Sequence, residues 1–242
     1  DIATHSIYSD FFFQVVFAAT AMSVVSGAVA ERKKLWTFLL FAALFTTVIY
    51  PIQGSWSWGG GWLSERGFFD FAGSGIVHMA GAAAALAGVL ILGPRRGKYL
   101  EDGTPRPIHG SNAPLVALGT LILWMGWFGF NGGSQLAIDG IVNADAVAKI
   151  FVNTNTAAAA GLVAAMVLSK LWLGKTALNA TTNGALAGLV VITADPLTPS
   201  PEVAILYGAL GGLLIPVAMS YIEKLGIDDP VGAISVHGVA GI

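Results

Sequence analysis

Two of the four histidines occupy the same place in two similar nine-residue segments. One runs Asp70-Phe71-Ala72-Gly73-Ser74-Gly75-Ile76-Val77-His78. The other runs Asp229-Pro230-Val231-Gly232-Ala233-Ile234-Ser235-Val236-His237, so aspartate, glycine, valine and histidine recur at offsets 0, 3, 7 and 8. Imidazole changes charge near neutral pH and can donate, accept or relay a proton. Both segments lead into apolar stretches, where an ionisable group is costly and marks function by default. Eight residues of helix rise about 12 Å. If the two segments enter an apolar core about 30 Å thick from opposite faces, both imidazoles fall near its midplane and can be neighbours. The bland alternative is two separate packing histidines, each bonded to a carbonyl. The shared offset and matched depth favour the pair. His5 and His109 lie outside the apolar stretches and read as ordinary residues.

Asp70 and Asp229 each stand where a helix is expected to start. A carboxylate there caps the first free amides and offsets the helix dipole. For Asp229, between Asp228 and Pro230, the cap is the favoured reading. For Asp70, capping and attraction of a cationic substrate stand level, and one carboxylate could do both.

The elements that must carry these residues follow from composition. The chain has 242 residues, 55% hydrophobic and only 11% charged, and a mean hydropathy of +0.73. A soluble domain is about 25% charged. That excludes an ordinary cytosolic enzyme, a disordered chain and a nucleic-acid binder with a basic face. Absence of cysteine excludes disulfide scaffolds, thiolate catalysis and Cys-based metal sites. A polytopic membrane protein in a lipid bilayer remains, and 31 glycines suit close helix packing.

Full spans are expected at Phe11–Ala30, Leu35–Ile52, Phe71–Leu92, Pro114–Phe130, Phe151–Leu173, Leu178–Ala194 and Val203–Ile222. An eighth begins at Val231 and is too short to cross, since a crossing takes roughly 20 residues. With no initiator Met, the chain reads as a fragment lacking earlier segments and cut inside its last helix. Loops after alternate spans hold ten of the 12 basic residues, and the others hold Arg66 and Lys149. The positive-inside rule makes the first set cytoplasmic. Asp10, Phe68, Asn131 and Asp195 then lie on the outer side, and the two histidine segments run antiparallel, as an inverted repeat requires.

Aromatic residues crowd the outer ends. Phe13 and Phe17 share a helix face with Gln14, and the fourth span ends Trp127-Phe128-Gly129-Phe130-Asn131-Gly132-Gly133-Ser134. Rings at one level on two helices can close a pore by dewetting. They can also be lipid-facing anchors, which spacing alone favours. Trp56 and Trp62 suit an interfacial belt. Trp58 precedes three glycines, whose backbone can fold over a mouth, and its ring face attracts cations. No P-loop, GxSxG, HExxH or paired buried carboxylate occurs, and nothing suggests ATP coupling.

The stretch Asp70 to Leu86 (DFAGSGIVHMAGAAAAL) resembles ammonium transporters of the Amt/Mep/Rh superfamily. The resemblance covers nearly the whole chain. It includes Phe12–Phe17, Ala30-Glu31-Arg32, Trp58-Gly59-Gly60-Gly61, Gly126–Asn131 with Ser134, and Asp228-Asp229-Pro230 with His237-Gly238. Trp58 and Ser134 together point to the Amt branch. The resemblance implies an all-α eleven-helix fold with an inverted five-helix repeat, here covering about the third to the tenth helix. Residues 1–92 would end the first repeat and residues 114–242 form most of the second.

The same resemblance implies the site. Trp58, Phe17 and Ser134 would recruit ammonium, with Asp70 supporting them. Phe17 and Phe130 would form a stacked phenyl gate. His78 and His237 would be twin histidines sharing a proton in an apolar pore, with Trp127 and Gln14 as further lining. It implies a homotrimer, ammonium or ammonia as substrate with methylammonium as analogue, no cofactor, metal or nucleic acid, a bacterial inner-membrane location and a PII-type regulatory partner. Gly232 departs from relatives that carry an acidic residue there. Two other functions stand beside transport: an ammonium sensor using the same pore, and an intramembrane enzyme using both histidines as metal ligands or an acid–base pair. The missing cysteines and carboxylate partner count against the last.

Overall fold

The computed structural model describes residues 6–242; His5 lies outside them. The described residues fold into helices α1 (Ile7–Ala28), α2 (Leu35–Ser55), α3 (Ser74–Leu92), α4 (Ala113–Gly133), α5 (Gly140–Leu173), α6 (Leu178–Thr193), α7 (Pro201–Lys224) and the short α8 (Ile234–Val239). Six of them, all but α6 and α8, are long and apolar enough to cross a membrane. The chain is a multi-pass membrane protein.

Local chemistry sets the starts. The Ser6 hydroxyl accepts from the Tyr8 amide, and the Asn112 side chain accepts from the Leu115 amide, with Pro114 in the first turn of α4. Pro201, whose missing N–H costs nothing there, opens α7.

The helices meet through small residues. A Cβ placed on Gly208 would sit 2.1 Å from the Ala157 carbonyl oxygen, one on Gly212 2.1 Å from that of Gly161, and one on Gly188 2.3 Å from that of Ala157. Backbone-to-backbone approach of this kind supplies van der Waals contact where lipid removes the hydrophobic drive between helices. One apolar core joins α1, α2, α3 and α8 through Phe17, Val25, Phe45, Val77 and Ile234. A second joins α4, α5, α6, α7 and α8 through Trp127, Ala158, Leu189, Ile215 and Val236. The histidine-bearing α8 belongs to both.

Several expected boundaries move. Helix α1 runs Ile7–Ala28 rather than Phe11–Ala30, and Glu31 beyond it is left-handed at φ 65°. Helix α4 continues past Phe130 to Gly133. Helix α5 begins at Gly140, not Phe151, because its first turns project beyond the apolar stretch; Lys149, expected in a loop, rides on them and donates to the Thr198 carbonyl. The helix expected from Phe71 starts at Ser74, and the one expected from Val231 starts at Ile234. The cause is the glycine at offset 3. Gly73 has φ 104° and Gly232 has φ 77°, which no right-handed helix accommodates.

Candidate functional site

In the first copy the Asp70 carboxylate lies over the end of α3. Its Oδ1 accepts from the Gly73 and Ser74 amides and its Oδ2 from the Gly75 and Ile76 amides, each at 2.9 Å. A helix start leaves four such amides unpaired, and this one side chain satisfies them. Both oxygens are thereby committed to capping. The Asp70 backbone carbonyl accepts from Trp58 Nε1 at 2.8 Å. Asp70 thus ties the Trp58 loop to the helix that carries His78. Gln53 adds a bond to the Ile76 carbonyl.

The second copy is held differently. Asp229 Oδ2 accepts from the Ser235 amide at 3.0 Å and its hydroxyl at 3.1 Å. Next to it Asp228, 1% exposed, accepts from Arg95 Nε and backbone N at 2.9 Å and from Arg95 Nη2 at 3.0 Å. Arg32 Nη1 lies 3.7 Å from the same carboxylate, and Arg32 Nη2 donates to the Asp228 carbonyl. Glu31 pairs with Arg95 at 3.3 Å. Burial works against ionisation of Asp228, but the hydrogen bonds and charges of Arg95 and Arg32 hold its carboxyl below the ordinary range. The bond to Asp228 correspondingly holds the Arg95 guanidinium above its ordinary value. Counting charges by loop missed this cluster. Its signal was the Asp228-Asp229 pair in a chain so poor in charge.

Both copies begin with a π-helical turn, Ser74–Met79 and Ile234–Val239, and each turn carries its histidine. Such turns are frequent at functional sites. Each helix starts several residues after its aspartate, so an eight-residue helical rise does not set the depth of the imidazoles. They meet nonetheless: the ring centroids of His78 and His237 are 5.0 Å apart and 22° from parallel.

A column of rings leads to this pair. Trp58 meets Phe17 edge-on at 5.9 Å, Phe17 stacks on Phe130 at 4.2 Å, and Phe130 lies 5.3 Å from His78. Trp127 stacks beside His78 at 4.9 Å, and Phe13 backs Phe17 at 4.4 Å. Trp58 is 37% exposed and His78 1%, so the column runs from an open end to a buried one. Among the described residues neither nitrogen of His78 has a hydrogen-bond partner, nor has Nδ1 of His237. The packing alternative, with each imidazole bonded to a carbonyl, does not describe His78. A buried polar group left unpaired costs about 1–3 kcal/mol. Three such nitrogens stand at the foot of the apolar column, where they could donate or accept hydrogen bonds.

Other expected residues fall out variously. Ser134 ends α4, and its hydroxyl donates to the Phe130 carbonyl at 2.9 Å, which leaves its oxygen free to accept. Gln14 is exposed on α1 and takes no part in the ring contacts, so the column does not include it. Trp56 and Trp62 lean on each other at 5.8 Å, both part-exposed. Asn131, expected at the outer surface, is fully buried and bonded to Thr154 and Thr193.

Comparison with known proteins gives one answer. The description of the Ammonium Transporter Family matches residues 1–242. Ammonium transporter Amt2 of Archaeoglobus fulgidus is 47% identical over 251 residues, covering 100% of this chain and 52% of the relative. The ammonium transporter of Bacillus subtilis is 37% identical over 242 residues, covering 100% of this chain and 56% of the relative. A solved sensor Amt protein superposes with a TM-score of 0.92 at 43% identity, over 97% of this chain and 58% of that one. Saccharomyces cerevisiae Mep2 superposes with a TM-score of 0.80 at 31% identity, over 93% and 49%. The chain spans about half the length of the curated relatives it matches.

Proposed function

The chain belongs to the ammonium transporter family, and we propose that it forms the pore of a transporter that strips ammonium to ammonia on the way through. The observation that carries this reading is the ring column ending at two histidines with unpaired nitrogens. Trp58, Phe17 and Ser134 replace part of the water around an arriving ammonium ion, by cation–π attraction and hydrogen-bond acceptance. Asp70 acts by holding Trp58 and capping the His78 helix. Phe17 and Phe130 form the gate and open in turn. A naked ammonium ion in the apolar stretch beyond would cost many kcal/mol. Neutral ammonia passes at far less cost, and His78 and His237 accept, share or return the proton. Potassium has no proton to lose and is excluded. Trp127 lines the His78 level.

Residues 1–92 and 114–242 belong to the two halves of an inverted repeat, and the Arg32 and Arg95 end faces the cytoplasm by the positive-inside count. The family resemblance supports a homotrimer in a bacterial inner membrane with a PII-type regulatory partner. The relatives are named for transport, and the enzyme reading has no observation in its favour. A sensor Amt protein and Mep2 both superpose on this chain, so the likeness does not separate sensing from transport. The test is uptake of labelled methylammonium by cells lacking their own ammonium transport and supplied with the full-length parent protein. Uptake that ammonium competes away and potassium does not is expected; absence of uptake in membranes that contain the protein overturns the reading.

A further inference from the structure

We infer that Thr193, at the end of α6, is a positioning residue that sets Trp127 against His78. Its hydroxyl accepts from Trp127 Nε1 at 2.8 Å. The single hydroxyl proton is directed to the Leu189 carbonyl at 2.6 Å or to Asn131 Oδ1 at 3.1 Å. Asn131 is fixed in turn by a bond from its amide to Thr154 at 2.9 Å. All of these groups are buried. The backbone of the same residue reaches the other partner. The Thr193 carbonyl accepts from the Ala72 amide at 3.1 Å, its neighbour's, Ala194, from the Phe71 amide at 2.8 Å, and that of Val190 from the Ser74 hydroxyl at 2.8 Å. These three bonds hold the chain between Asp70 and α3, and so the start of the helix that carries His78.

One residue therefore holds the indole directly and, through Ala72, the approach to the helix that carries its stacking partner His78, the two ring centroids being 4.9 Å apart. The indole cannot rotate away from the imidazole without breaking its one hydrogen bond in a region where no water replaces it. The imidazole in turn is kept from drifting toward the indole. Its two nitrogens stay without a hydrogen-bond partner among the described residues. Loss of the hydroxyl leaves the backbone bonds intact and frees the indole alone.

The inference rests on the proposed transport, and its test separates the two. Full-length wild type, Thr193→Val, Thr193→Ser, Trp127→Phe and the Thr193→Val/Trp127→Phe double variant are compared for methylammonium uptake per molecule in the membrane. Thr193→Val is expected to lower uptake at saturation about ten-fold, the worth of roughly one hydrogen bond, with the half-saturating concentration within about two-fold. Thr193→Ser is expected to restore it. The double variant should be no slower than Trp127→Phe, because that background has no indole N–H to hold. Equal rates in wild type and Thr193→Val overturn the inference, as does a Thr193→Val effect of full size in the Trp127→Phe background. If Thr193→Val does not reach the membrane, Trp127→Phe carries the test, and a wild-type rate in it overturns the inference. Absence of uptake by wild type overturns the transport reading instead.

Discussion

The two nine-residue copies share aspartate, glycine and histidine and a π-helical first turn, yet they are fastened by different forces. In the first copy one carboxylate caps four amides, and neighbouring carbonyls hold the segment before it. The bonds of the cap stay within six residues of Asp70, while the carbonyls that hold the preceding segment come from the end of α6. In the second copy the matching aspartate bonds Ser235, and the fastening comes from Asp228 against Arg95 and Arg32, residues far away in the chain. The first copy sits below an open, aromatic mouth, where stray cations would compete for a charge pair. The second sits where the basic residues of the chain are concentrated. Equivalent histidines are thus delivered to one place by a local cap on one side and a tertiary ion pair on the other.

The largest effect is expected from breaking the ion pair. Arg95→Met leaves the buried Asp228 carboxylate with only Arg32 at 3.7 Å and should cost up to about 3–5 kcal/mol, read as a fall in thermal stability in detergent. An unchanged midpoint would show that Asp228 does not fasten the second copy. The pair also has a pH signature. The folded Asp228 carboxyl titrates below its ordinary value, so its contribution is complete above about pH 4, the unfolded carboxylate range, and fades as pH falls through the lower folded value. The stability gap between wild type and Asp228→Asn should therefore be constant from neutrality to about pH 5 and close under more acid conditions. A gap that widens on acidification contradicts the assignment.

The cap is next. Asp70→Ala frees four amides at once and should cost more than the roughly 1–2 kcal/mol of an ordinary N-cap, while Asp229→Ala should stay near that figure. Equal losses would dissolve the contrast between the copies. The glycines give a finer comparison. A Cβ at Gly73 would lie 2.5 Å from Val77 Cγ2 and 3.0 Å from Trp58, whereas one at Gly232 would lie 2.7 Å from Nδ2 of Asn183, the movable end of a side chain. Gly73→Ala therefore adds a clash to the roughly 1–2 kcal/mol of left-handed strain. Gly232→Asn should cost less than Gly73→Ala, since asparagine tolerates this backbone and its Cβ meets the end of a side chain. A Gly232→Asn loss as large as that of Gly73→Ala would show the second copy to be as tightly packed as the first.

Much of the column could be read before any coordinates. Phe17 and Phe130 were visible as aromatic residues at one expected level, and the histidines as a repeat with a shared offset. Which rings touch was not, because spacing along one helix says nothing about rotation against another; hence Phe13 and Phe17 join the column and Gln14 does not. The late starts of α3 and α8 were hidden in hydropathy, because the non-helical Phe71–Gly73 is apolar enough to read as part of the span. The glycine at offset 3 was the available signal. Thr193 had none. It is one threonine near a helix end, and its partners Trp127 and Asn131 lie more than sixty residues earlier. Arg95 was counted among the basic residues for topology and Asp228 was noted only as the neighbour of Asp229, and neither observation carries information on pairing.

The central claim is that selective passage depends on the two imidazoles at the foot of the ring column. The direct measurement is methylammonium uptake, with potassium as competitor, by the full-length protein carrying His78→Ala or His237→Ala. The account predicts that each variant, present in the membrane at wild-type level, loses selective uptake. Wild-type selectivity persisting in both would contradict it.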